Sequence, residues 1–185
     1  MRLGCLVRTD ETEGGELVHV RPAAAEDAEA MSAILADIQK TWKTRWTSTP
    51  EYILTNYIDH PEQVRCSVAT DPASRVLGFQ SLKCVGEGNP FQVAAGWGVI
   101  GTFVRLNAIG QGTGRALFAA TLEAARRAGV TTIDATIEPD NALGLAYYRA
   151  MGFRAYRTLR SGAIGTRLTV GVDAPEPGQD RLADT

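Results

Sequence analysis

Apolar and polar positions along the chain change period several times, and each change marks an element. Leu17 to Arg21 alternates as a short strand does, after which Met31, Ile34, Leu35, Ile38 and Trp42 recur at i, i+3, i+4, i+7 and i+11, the spacing of one buried helical face. Ser48-Thr49-Pro50-Glu51 is a second helix start: a hydroxyl can cap, proline fits the first turn and Glu51 can complete a capping box, with the helix running to about Tyr57. Val64 to Thr70 and Arg75 to Val85 are rich in β-formers and flank Asp71-Pro72-Ala73-Ser74. That proline presets φ, and its Asp and Ser can bond the local backbone, so an antiparallel hairpin is expected. Ala94 to Leu106 reads as a longer, glycine-interrupted strand that runs into Gly110-Gln111-Gly112-Thr113-Gly114 and then an alanine-rich helix, Arg115 to Ala128, stopped by Gly129. Ile133, Ala135 and Ile137 alternate with Asp134, Thr136 and Glu138 as a half-polar strand, and Pro139-Asp140-Asn141 ends it and caps a helix to Met151. Phe153 to Leu159 and Ala163 to Val172 are two further β-like runs. The order β-α-α-β-β-β-α-β-α-β-β calls for a mixed sheet with helices packed on it, and no internal repeat interrupts it.

The ends break the pattern. Residues 1–15 mix a brief apolar run with Thr9, Asp10, Glu11, Thr12, Glu13, Gly14 and Gly15, a composition expected to stay flexible. Residues 173–185 set Asp173, Glu176, Asp180 and Asp184 against Arg181 alone, with two prolines and a glycine, and read as a disordered acidic tail. Residues 16–172 are then one domain, as 185 residues and 19.8 kDa favour one core over two. A chain 44% hydrophobic and 22% charged is globular, and a formal net charge of -2 gives no overall drive toward nucleic acid or anionic lipid. Cys5, Cys66 and Cys84 lack the paired spacing of a zinc or redox site, so no metal is expected and a reduced, cytoplasmic setting is the simpler reading. No run approaches the roughly 20 apolar residues that span a bilayer.

Candidate chemistry concentrates at the glycines. Three glycines in five residues between a strand and a helix leave backbone N–H groups free to converge on an anion, and the helix N-terminus adds roughly half a positive charge. A pyrophosphate is the natural ligand. A Rossmann fingerprint would need glycine where Arg115 stands, and no Walker A string occurs, so a dinucleotide-dependent oxidoreductase is disfavoured.

Twenty-seven residues after Gly114 comes the run Asn141 to Phe153, with Tyr148 and Gly152 inside it. Here the chain resembles the GNAT superfamily of acyl-CoA-dependent N-acetyltransferases. The family's phosphate loop, Q/R-x-x-G-x-G/A, falls on Ile109-Gly110-Gln111-Gly112-Thr113-Gly114, its later segment on Asn141 to Phe153, and its first strand and helix entry on Val20-Arg21-Pro22-Ala23 and Glu26-Asp27-Ala28. The likeness covers roughly residues 17–160. Two departures stand out: Ile109 replaces the Gln or Arg that opens the loop, and Leu106 replaces a frequent proline after the fourth strand.

The resemblance implies an α/β (α+β) fold, with a mostly antiparallel sheet of about seven strands and helices on both faces. It implies acetyl-CoA as cosubstrate, bound by residues 109–115, Ile109, Gly110, Gln111, Gly112, Thr113, Gly114 and Arg115. It further implies a fourth strand that bulges and splays from the fifth, so that Thr102, Phe103 and Val104 offer backbone groups to the pantetheine arm and the thioester carbonyl. Tyr148 matches the family tyrosine that protonates the departing thiolate or holds its sulfur, while Tyr147 is assigned to packing. Asn141 is either a bare cap or a cap that also touches CoA.

The fourth strand holds no carboxylate or histidine to serve as a base; Glu138 is the candidate chosen, with Asp134, Glu87 and His60 as the others. Arg45 and Trp46 are candidates for the acceptor pocket. The expected reaction is transfer of an acetyl group to a primary amine of a small molecule or peptide by direct attack. The rival from another class is a non-catalytic acyl-CoA sensor. No nucleic-acid or membrane partner is expected, and a homodimer is left open.

Overall fold

The computed structural model describes residues 18–42 and 47–171. The strands are β1 (His19–Pro22), β2 (Gln63–Thr70), β3 (Val76–Cys84), β4 (Gly98–Val104), β5 (Thr132–Ile137), β6 (Arg154–Thr158) and β7 (Ile164–Thr169), and the helices α1 (Ala28–Trp42), α2 (Pro50–Ile53), α3 (Thr113–Arg127) and α4 (Ala142–Ala150). Their order is the expected one. The seven strands form one sheet in the order β1-β2-β3-β4-β5-β7-β6, antiparallel at every pair except the parallel β4 and β5.

Two apolar clusters sandwich this sheet. On one face Met31, Ile34 and Leu35 of α1 pack with Ile53, Val68 and Phe79, which realises the helical stripe read from the sequence. On the other, Phe118 and Ala125 of α3 and Tyr148 of α4 pack with Leu82, Ile100, Ile133, Ala135 and Ile137. The alternation of β5 is therefore what divides the faces: its odd residues meet α3 and α4, its even residues face the other way.

Several boundaries moved for local reasons. Thr49 rather than Ser48 caps α2, accepting a hydrogen bond from the Tyr52 amide at 3.3 Å, so Glu51 falls out of capping-box register; the helix continues as a π turn over Leu54–Ile58. The fourth strand begins at Gly98, not Ala94, because Val85 bonds both Trp97 and Gly96 and Gly96 takes φ 81°, which closes residues 94–97 into a turn. The hairpin turn uses Asp71 as expected, its Oδ1 accepting from the Arg75 amide at 2.8 Å. Gly129 stops α3 at φ 70°. The two terminal segments, along with Arg45 and Trp46, lie outside the described residues, as does the side chain of Trp42.

Candidate active site

The site begins with an interrupted ladder. Strands β4 and β5 form a ladder of two pairs, Gly98 with Ile133 and Val99 with Asp134, and it ends there although β4 runs on to Val104. The expected splay is present. The expected bulge is not, since β4 keeps an unbroken register with β3 from Gly98 to Val104. The split thus comes from divergence of two strands, one tied to β3 and the other to β7. It leaves backbone polar groups of β4 open to a ligand.

Into this split open α4 and the turn before α3. Thr102, Phe103, Val104, Ile109, Gly110, Gly114, Asn141, Tyr147 and Tyr148 line a cleft of about 890 Å³, including space open to solvent, which Ile38 of α1 reaches from the far side. Among the described residues the amides of Gly110, Gln111 and Gly112 have no hydrogen-bond acceptor. Gly110 and Gly112 sit at φ 83° and 82° with nothing within 4 Å of where a Cβ would be, so backbone conformation, not crowding, selects glycine there. At Gly114 the reason is space: a Cβ would lie 2.8 Å from the Tyr147 ring. The 15-residue helix α3 starts at this turn and points its N-terminus at the cleft.

A buried hydrogen-bond chain fixes the wall opposite. Gln80 of β3, fully buried, donates from Nε2 to Thr102 Oγ1 at 2.8 Å and to the Tyr147 hydroxyl at 3.1 Å, and Tyr147 in turn donates to the Gly114 carbonyl at 2.9 Å. Thr102 Oγ1 and the Tyr148 hydroxyl are 2.9 Å apart. Because Gln80 already donates to Thr102, the threonine proton can go to Tyr148, which leaves the phenolic proton free for the cleft. Burial pushes the Tyr148 phenol well above its ordinary value, the Thr102 bond acting weakly the other way, so this group stays neutral. Asn141 accepts from the Gly144 amide at 2.8 Å as the N-cap of α4 and also lines the cleft.

Comparison with known proteins decides the family. A model described as the Acetyltransferase (GNAT) family matches residues 31–153. The chain belongs to the GNAT acetyltransferase family. This GNAT chain is 30% identical over 138 residues to L-methionine sulfoximine/L-methionine sulfone acetyltransferases of Pseudomonas aeruginosa and Pseudomonas paraeruginosa, covering 72% of itself and 78% of each relative. Its fold matches a ribosomal-protein-alanine N-acetyltransferase from Brucella melitensis at TM-score 0.66 and 26% identity, over 82% of this chain and 99% of that one. A Salmonella typhimurium protein solved with acetyl-CoA superposes at TM-score 0.69 with 20% identity, over 85% and 96% of the two chains.

In the GNAT frame, the structure gathers Thr102, Phe103, Val104, Ile109, Gly110, Gly114, Asn141 and Tyr148 at one cleft. Gln111 and Arg115 are exposed beside it, Gln111 folding back to the Asn107 carbonyl at 2.8 Å, and Thr113 is buried at the helix start. Ile109, the departure from the motif, is 42% exposed.

Glu138 is a correction: it is an exposed residue just past β5, outside the cleft lining, because β5 ends there and turns into the α4 cap. Glu87 is exposed in the loop after β3, and His60 accepts the Glu62 amide at 3.1 Å and is absent from the cleft lining. Asp134 is fully buried by the opposite face, accepting from Tyr156 at 2.7 Å, Thr136 at 3.2 Å and Arg157 at 3.3 Å. Tyr147, assigned to packing, does pack against the core, and in addition its ring lines the cleft and its hydroxyl clamps the glycine turn. Gln80 went unmarked because a lone glutamine in a β-run carries no motif; its place between Ser67 of β2 and Thr102 of β4 is visible only after folding.

Proposed function

We propose that this chain transfers the acetyl group of acetyl-CoA to a primary amine of a small molecule or peptide, by direct attack in a ternary complex. The observation that carries the reading is the cleft that joins unpaired β4 backbone, acceptor-free glycine-turn amides and the Tyr148 hydroxyl. The turn amides and the α3 N-terminus would hold the pyrophosphate, and the open β4 edge would align the pantetheine arm as an added strand aligns with a sheet edge. The amine nitrogen attacks the thioester carbon, the C–N bond forms, the C–S bond breaks, the sulfur leaves as thiolate, and the surplus nitrogen proton passes to water or to that thiolate. A phenol held above its ordinary pKa is a poor proton donor to a thiolate of pKa about 8.5, so Tyr148 serves by donating a hydrogen bond to the sulfur rather than by giving up its proton outright.

Among the described residues that line the cleft there is no carboxylate and no histidine. An amine resembling a lysine side chain costs about 4.6 kcal/mol to deprotonate at pH 7, whereas an α-amine of pKa about 8 costs only about 1.4 kcal/mol. The site therefore favours weakly basic amines. The relatives named for L-methionine sulfoximine and its sulfone act on small molecules that bear an α-amine, which supports the same substrate class here. Acetyl-CoA with an amine panel, read by release of free CoA, tests the reading. Turnover of at least one amine is expected; binding of CoA with no turnover of any would leave the acyl-CoA sensor instead.

A further inference from the structure

The cleft of the proposed reaction runs through the split from the α3 and α4 side to Ile38 and Phe103, and the α1 side of the same split is built differently. Lys83 of β3 lies in register with Val99 of β4, which lies in register with Asp134 of β5, so the three side chains form a row on that face. The row marks the last rung before β4 and β5 diverge. On one side Tyr57 stands on the ring pair Phe79 and Phe103, at centroid distances of 5.4 and 5.6 Å. On the other, Tyr156 reaches over to Asp134 and packs against Trp97 at 5.8 Å. Between these aromatic walls the floor is Val99 and Gly101, half-buried, with Thr136 exposed. A trough therefore runs over β4 to the split.

Lys83 is the ammonium of this row, while the guanidinium of Arg167, in register with Asp134, lies over the Tyr156 ring at 5.4 Å on the far side. The Lys83 Nζ lies 5.8 Å from the Tyr57 ring centroid, and it enters none of the ion pairs among the described residues. Glu62, whose charge it feels, already accepts the Gly86 amide at 2.8 Å. Partial burial pulls the Lys83 pKa below its ordinary value, a cost that an arriving anion would reverse. By contrast, Asp134 is already neutralised by Arg157 and covered by Tyr156. The trough thus offers an ammonium held in no ion pair among the described residues, with the Glu62 carboxylate as a charged neighbour and Asp134 taken up by Arg157.

We propose that Lys83 anchors a carboxylate carried by the acceptor, so that the amine acetylated belongs to a small molecule of the α-amino-acid type. This rests on the acetyl-transfer reading above. The diagonal from Lys83 to Gly101 across the β3–β4 ladder spans about 7–8 Å between Cα atoms, room for an ammonium, a carboxylate and the amine one carbon further on at the split. Pairing the carboxylate also removes the neighbouring negative charge that favours the protonated amine, which eases deprotonation where no base lines the cleft.

The test compares matched acceptors with the full chain and acetyl-CoA: L-methionine sulfone against 3-(methylsulfonyl)propylamine, L-leucine against 3-methylbutylamine and L-phenylalanine against 2-phenylethylamine. At least one acid should exceed its decarboxylated partner in kcat/KM by about 10- to 100-fold, the worth of one charge-assisted hydrogen bond. Lys83→Met should remove that preference through KM while leaving the decarboxylated amines within about twofold, and Lys83→Arg should restore part of it. Equal use of acids and amines by the wild type, or equal loss of both in Lys83→Met, would overturn the assignment while leaving acetyl transfer intact. Should no compound turn over, calorimetry of the three acids with the CoA-loaded protein decides: binding that disappears in Lys83→Met upholds the anchor, and no binding removes it.

Discussion

The two faces of the split differ in what they are made of. The face of α3 and α4 is built from backbone: acceptor-free amides at the glycine turn, the unpaired edge of β4 and a helix N-terminus, positioned by a short chain of side-chain bonds from Gln80. The opposite face is built from side chains that converge from β3, β5, β6 and the loop before β4. There Arg157 donates to the Gln92 and Phe91 carbonyls at 2.7 and 3.0 Å as well as to Asp134, and it lies across Gly165, where a Cβ would come within 2.6 Å of its Cγ. Backbone geometry suits a ligand whose phosphates and amide arm never vary. Side chains suit one that does.

If this division is real, damage to one face should spare the other. The largest effect is expected at Asp134→Ala, which strands Arg157 and removes the acceptor of Tyr156; breaking a buried pair from one side costs about 3–5 kcal/mol. Urea unfolding should register that loss, while the fraction still folded binds CoA with near wild-type affinity. A parallel collapse of CoA affinity would mean that the faces are one unit.

The next effect in size belongs to Tyr148→Phe. Removing the hydroxyl deletes the donor to the leaving sulfur and leaves the ring in place, so kcat should fall by about 10- to 100-fold. KM for acetyl-CoA should stay within about twofold, since the pyrophosphate contacts lie elsewhere. Unchanged kcat would return Tyr148 to a packing role beside Phe153, which it meets edge-on at 5.0 Å.

How much of this was legible in the sequence follows the same line between backbone and side chains. The glycine turn, the Asn141 cap and the Tyr148 position were readable because backbone sites need particular residues at fixed local offsets. The order of elements along the chain and the stripe of α1 were readable from periodicity. What escaped was long-range: Gln80 to Tyr147 spans 67 positions and Arg157 to Phe91 spans 66, and no local pattern encodes such pairs. Glu138 falls outside the cleft lining for a related reason, because strand alternation tells which face a residue takes but not where the strand stops. The short β4 shows the same thing, its start set by the turn that Gly96 allows.

The smallest effect separates strain from binding and uses both ends of one helix. Gly112 precedes α3 at φ 82° and Gly129 follows it at φ 70°, and a Cβ at either would meet nothing within 4 Å. Alanine at each site therefore brings the same penalty, about 1–2 kcal/mol for a left-handed residue with a Cβ, and no clash. Gly112→Ala and Gly129→Ala should lower the urea midpoint alike. Only the first lies in the turn whose amides are free for an anion, so only it should weaken CoA binding, by about tenfold if relief of the strain rotates one amide out of line. Calorimetry with CoA reads the difference. Equal affinities in the two variants would show that the turn's amides do not carry the pyrophosphate, and the backbone face would lose its ligand.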